Sequence, residues 1–148
     1  MRPSAIIIAA QNFISTVMEG PLPTVDAIAR SLDQIAVASH KMPPGRCAGN
    51  SERWWRSEWI APDIPLAERF ADLGLYIVAD PLGDVKQSPY HGDAIDDLSD
   101  IASTMREAIW RSQRRGNGDA HWFLRNQQFH WERHLRELAL YLHAKRFH

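Results

Sequence analysis

Residues 93–115 read DAIDDLSDIASTMREAIWRSQRR, and residues 119–144 read DAHWFLRNQQFHWERHLRELALYLHA. In the first stretch Ile95, Leu98, Ile101, Ala102, Met105 and Ile109 recur at three- and four-residue spacing. That period predicts one buried helical face over about Asp93–Arg115. In the second, Phe123, Leu124, Trp131, Leu135, Leu138 and Leu142 define the core stripe of a helix running from Asp119 to about Ala144. Gly116-Asn117-Gly118 turns the chain between them, with Asp119 placed as an N-cap. Two long helices joined by so short a turn lie antiparallel.

That pairing gives the hairpin its chemistry. His134 falls inside the apolar stripe and His130 on its edge, roughly 40° apart at 100° per residue. His121 points to the other side. Centring the hairpin on Asn117 sets His134 level with Asp100 and His130 level with Thr104, with Asp97 about one turn away. Asp97 or Asp100 therefore reaches His134. Two histidines four residues apart can ligate one metal, with carboxylates from the facing helix completing the shell. A carboxylate-oriented histidine can also serve as a general base. The simpler account is structural: a histidine in an apolar stripe needs a hydrogen-bond partner, and a facing aspartate supplies it and fixes helix register. HWERH is not the HExxH of zinc proteases, because Glu132 stands out of place for the base and is expected to face solvent. No metal or catalytic residue is assigned on this basis. The four residues are expected to act as a polar lock, with a metal site as the alternative.

Working outward, Ser4 to Glu19 predicts a well-buried first helix stopped by Gly20-Pro21. Thr24 caps a second helix whose Val25, Ile28, Ala29, Leu32, Ile35 and Ala36 share one face, ending at Met42-Pro43-Pro44-Gly45. Ser51 opens a short helix holding Trp54, Trp55 and Trp59, and a further helix runs from about Leu66 to Gly74. Leu75–Ala79 has strand composition but no evident partner, so it is read as extended chain. Residues 80–92 form a long irregular connection, which in compact domains usually covers or binds something. The fold class is all-α: one domain, a bundle of five to six helices closed by the C-terminal hairpin.

The chain has 148 residues, enough to bury about 68–70% of its unfolded surface as one domain. A formal charge of −1 argues against a dedicated nucleic-acid binder, which needs a basic excess. The single cysteine, Cys47, fits a reducing compartment and carries no activating motif. MRPSAIIIAA is interrupted by Gln11 and Asn12, so it is read as part of a mature cytoplasmic helix rather than a leader or membrane span. Phosphate loops, dinucleotide glycine motifs, CxxC pairs and GxSxG elbows are all missing. No cofactor is implied.

Arg53, Trp54, Trp55, Arg56 and Trp59 interleave guanidinium and indole groups; the indoles are expected to pack beneath the following Pro-rich loop, with a protein-partner surface, ahead of nucleic acid, as the alternative. Trp122, Phe129 and Leu140 share one angle on the last helix, among arginines, and the first two helices are expected to cover them. Arg111, Arg114 and Arg115 suit a helix C-terminus.

Several of these stretches carry a family resemblance. Gly92-Asp93, Asp96-Asp97-Leu98-Ser99-Asp100-Ile101, Asp119-Ala120-His121-Trp122, His130-Trp131-Glu132-Arg133-His134 and Leu142-His143 resemble the bacterial family called domain of unknown function 5063. Gly74-Leu75-Tyr76 and Asp80-Pro81-Leu82 are similar to its mid-region, and Phe13–Pro44 fits its N-terminal helices loosely. The Trp54–Trp59 segment matches nothing in its pattern. The resemblance implies an α-helical bacterial protein and brings no established activity. The combined expectation is a non-enzymatic helical protein that acts by protein–protein contact. It would be a toxin-neutralising or adaptor protein, with Arg53, Trp54, Trp55, Arg56, Trp59, Trp122 and Phe129 facing the partner. The alternative is a metal-dependent hydrolase using Asp97, Asp100, His130 and His134.

Overall fold

The computed structural model describes residues 2–49 and 63–148. The expectations for Arg53, Trp54, Trp55, Arg56 and Trp59 lie outside those residues. The architecture is an all-α bundle with one small β-hairpin. Four helices form its frame: α1 (Ala5–Met18), α2 (Val25–His40), α4 (Ala94–Arg115) and α6 (Gln128–Arg146). Helix α1 packs on α2 and α4, and α6 packs on α4 and α2, so the four close around one core. Two shorter helices, α3 (Asp63–Arg69) and α5 (Asn117–Asn126), lie against α4. No described helix is long and apolar enough to cross a membrane.

The predicted faces of α1, α2 and α4 are the buried ones. Phe13, Val17, Leu32, Ile35, Leu98, Ile101 and Met105 are fully enclosed, each worth about 1.5–3 kcal/mol of apolar burial. Thr24 caps α2 by accepting a hydrogen bond from the Ala27 amide at 3.0 Å. Asp93 does the same for α4, taking the Ile95 amide at 2.9 Å. The carbonyls left at the end of α1 are held by Arg69 of α3, whose guanidinium donates to Glu19, Gly20 and Pro21.

Three expectations are corrected. First, Leu75–Val78 is a strand, β1, because its partner lies inside the segment read as irregular. Strand β2 (Tyr90–Asp93) pairs with it antiparallel, Tyr76 opposite Gly92. Gly92 makes this pairing possible. A Cβ there would lie 2.4 Å from the Tyr76 ring, so the aromatic ring occupies the space any side chain would need.

Second, the last helix is not continuous from Asp119. Helix α5 starts at Asn117, after Gly116 takes a φ of +99°, and the helix breaks at Gln127. The break leaves the Leu124 carbonyl without its helical amide, and the buried Trp131 indole donates to it at 2.8 Å. Asp119 is therefore not an N-cap. Third, the helix placed at Leu66–Gly74 runs from Asp63 to Arg69 and gives way to a turn before Leu73.

Candidate functional site

The hairpin β1–β2 leans on the N-terminal half of α4 and on α6 between Arg133 and Tyr141, and a chain of polar contacts runs through the junction. It starts at Tyr76 on β1, whose hydroxyl donates to Asp97 Oδ2. Asp97 Oδ1 lies 2.7 Å from His134 Nδ1, and His134 Nε2 lies 3.1 Å from Asp100 Oδ2. Asp97 is 2% exposed, so its two oxygens depend on these partners. A ring that serves two ionised carboxylates, which only accept, must donate from both nitrogens, so the geometry suits an imidazolium at His134. The sequence expectation offered Asp97 or Asp100 as partner. Both are.

The surroundings favour the protonated ring. The hydrogen bond to Asp97 raises the His134 pKa first, and the charges of Asp100, Asp97 and Asp96 add to it against the opposing effect of burial. Burial, then the bond to Asp97, keeps the Tyr76 phenol protonated far above its ordinary range. Tyr76 is fixed on its other face by a stacked Tyr141 ring, centroids 4.7 Å apart, and Tyr141 accepts the Gly74 amide. Neither tyrosine was assigned a role from sequence. The clue available was Gly92, which marks a close approach but does not say by what.

His130 stands at the open end of the chain. It is exposed, with its ring edge-on to His134 at a centroid distance of 4.8 Å. One ligand atom each from Asp100, His130 and His134 lies within 4.8 Å of the others. Glu132 turns from solvent toward α2 and lies 3.5 Å from the Ser39 hydroxyl.

His121 belongs to a different place, as its angle predicted. It is 6% exposed, and its Nε2 lies 2.8 Å from the hydroxyl of Ser4, the residue preceding α1. Burial, with Arg125 nearby, lowers its pKa. The two histidines therefore bias stability in opposite senses. His134 titrates higher folded than the ordinary value of about 6.5, so its contribution is full below that value and is lost as pH rises through the raised folded pKa. His121 titrates lower folded, so its contribution is present above about 6.5 and is lost as pH falls. Urea unfolding at closely spaced pH values should find a histidine-dependent maximum near 6.5. His134→Gln should flatten the alkaline side of that curve, and a retained slope there would contradict the imidazolium assignment.

Residues expected at the surface divide. Phe129 is 79% exposed and Leu140 71%, so α1 and α2 do not cover them. The break at Gln127 puts Trp122 on a separate helix, half-buried under Arg111 rather than aligned with them. Leu140 instead faces a groove of about 660 Å3 between the β-hairpin and α6, with Ile77, Pro81, Leu82, Tyr90 and Arg133 on its walls. The groove adjoins the polar chain through β1, which carries Tyr76, and through Arg133, the neighbour of His134.

The arginines closing α4 do more than face a helix dipole. Arg111 and Arg115 converge on Asp119, whose side chain is fully buried. Asp119 also accepts the Ala48 amide at 2.9 Å, tying the 43–49 segment to α5. Compared with family models, with curated proteins and with solved structures, the chain matches none of them.

Proposed function

We propose that this chain is a non-enzymatic, helical protein-binding module, of the kind that neutralises or adapts a partner protein. It would receive an apolar segment flanked by charged side chains in the groove between the β-hairpin and α6. One observation carries the reading. Ile77, Leu82 and Leu140 are 75%, 96% and 71% exposed, yet they converge on one concavity instead of being scattered. Contiguous exposed apolar surface of this kind marks interaction sites.

The rim carries charge of both signs, with Asp80 and Glu137 beside two arginines. Arg133 and Arg136 line the same groove with side chains 61% and 54% exposed. Their present partners are Glu137 at 3.1 Å and Glu132 at 3.7 Å, each four residues away along the helix. Such exposed pairs are worth only ~0.3–0.5 kcal/mol, so the guanidiniums exchange them readily for carboxylates of a partner. Tyr90 accepts a hydrogen bond from Arg133 at 2.6 Å and adds an aromatic wall. Tyrosine and arginine are the residue types enriched where binding energy concentrates.

A photo-crosslinking residue placed at Leu140 in living cells should give one dominant protein adduct. Ile77→Asp, which sets a carboxylate in the groove, should weaken that partner's binding at least tenfold, about 1.4 kcal/mol. Adduct formation indifferent to Ile77→Asp, or no protein adduct at all, would refute the groove as the binding surface.

A further inference from the structure

We infer that Asp100, His130 and His134 form a binding site for one divalent transition-metal ion of the zinc class, with Asp97 as the residue that orients it. The site is independent of the groove and does not rest on it.

Three observations converge. The ligand set is two imidazoles and a carboxylate, the donors that zinc and its neighbours take and that magnesium and calcium do not favour. The three ligand atoms lie within 4.8 Å of one another, and bonds of 2.0–2.2 Å in a tetrahedral shell require separations of about 3.4 Å. His134 Nε2 and Asp100 Oδ2, at 3.1 Å, already meet that requirement. The remaining closure falls to His130, which is exposed and turns without disturbing the core. The second observation is Asp97. It engages His134 Nδ1 at 2.7 Å and leaves Nε2 facing Asp100 at 3.1 Å. A carboxylate on the far nitrogen is the arrangement that fixes tautomer and orientation in histidine-ligated metal centres. Asp97 is itself held by Tyr76, so the support extends to a further shell.

The third is the placement of His130. A polar lock between α4 and α6 is complete with Asp97, Asp100 and His134. His130 buries nothing for the fold, yet its ring stands edge-on to His134 one helical turn away. A metal gives that ring a role. Three protein ligands leave a fourth position to solvent on the exposed side.

Untagged protein stripped with chelator and then titrated with Zn2+ by calorimetry, and with Co2+ by visible absorption, tests this. The expected result is one ion per chain, with cobalt bands of tetrahedral intensity. His130→Ala, an exposed change that leaves the fold intact by circular dichroism, should weaken binding by about a hundredfold and abolish those bands. Asp97→Asn should cost about 10–100-fold. His143→Ala, on the same helix outside the cluster, should change nothing. Absence of stoichiometric Zn2+ binding by the unaltered chain, or equal binding by His130→Ala, overturns the site. Neither result bears on the groove, which crosslinking at Leu140 tests separately.

Discussion

Replacing Asp97 by alanine is expected to destabilise the protein by about 3–5 kcal/mol, the range for removing one partner from a buried ionic pair. The side chain is 2% exposed and serves two donors at once. Its loss strands the Tyr76 hydroxyl and leaves His134 Nδ1 facing a cavity. It also removes the link between three elements: the β-hairpin, α4 and α6. Removing only the other end of one contact costs less. Tyr76→Phe leaves a single carboxylate oxygen unsatisfied, about 1–3 kcal/mol. Chemical denaturation of the two single variants and the double variant would report the coupling. If the chain acts as a unit, the double variant is less destabilised than the sum, since Tyr76→Phe has no bond left to break once Asp97 is gone. Strict additivity would show that the two contacts are energetically separate. An Asp97→Ala cost below ~1 kcal/mol would mean that water replaces the carboxylate freely.

This site was partly legible in the sequence, and the limits are physical. The α4–α6 contact could be counted from the turn, because an antiparallel hairpin fixes which residues stand level. That count brought Asp97, Asp100 and His134 together. It missed that both carboxylates engage one ring, since a histidine has two nitrogens on opposite edges and register alone does not orient it. Tyr76 was out of reach for a different reason. Its position depends on pairing with Tyr90–Asp93, and YHGD has little strand character of its own. The pairing is a tertiary outcome, made possible by the missing side chain at Gly92.

The helix break tells the same story in reverse. A continuous helix from Asp119 placed Trp122, Phe129 and Leu140 on one stripe. The run Asn126-Gln127-Gln128, polar between the buried Leu124 and Trp131, carried the signal that the phase resets there. Propensity could not show it, because asparagine and glutamine are tolerated within helices. What holds the break is the Trp131 indole taking the Leu124 carbonyl, a contact seven residues apart that exists only once the bend has formed. The periodic helices α1, α2 and α4 were legible because their stabilising contacts are written at three- and four-residue spacing. The elements that escaped are those whose stabilising contacts come from elsewhere in the fold.

Asp119 is the second residue whose removal should be costly, and it was read from sequence as a mere cap. Its side chain is fully buried beside Arg111, at 2.9 Å, and Arg115, at 3.9 Å, whose own side chains are 15% and 6% exposed. Asp119→Ala removes the carboxylate that two largely buried guanidiniums share, leaving Arg111 only Glu107, and strips the Ala48 amide of its acceptor, and a loss of about 3–5 kcal/mol is expected. Glu107 provides the internal comparison. It also pairs with Arg111, but its side chain is 23% exposed, so water compensates its loss, and Glu107→Ala should cost no more than ~1 kcal/mol. Asp119→Asn should fall between, because the amide oxygen still accepts from Ala48 while the charge opposite the arginines is gone. Hydrogen exchange separates the local from the global part of the effect. The Ala48 amide bonds to the Asp119 side chain, whereas the Arg46 amide bonds to the Gly118 backbone. In Asp119→Asn both should stay protected. In Asp119→Ala, Ala48 should lose protection first and by more than the core amides of α4, as residues 43–49 detach from α5. Uniform loss across the molecule would show instead that Asp119 stabilises the bundle as a whole and has no particular hold on that segment.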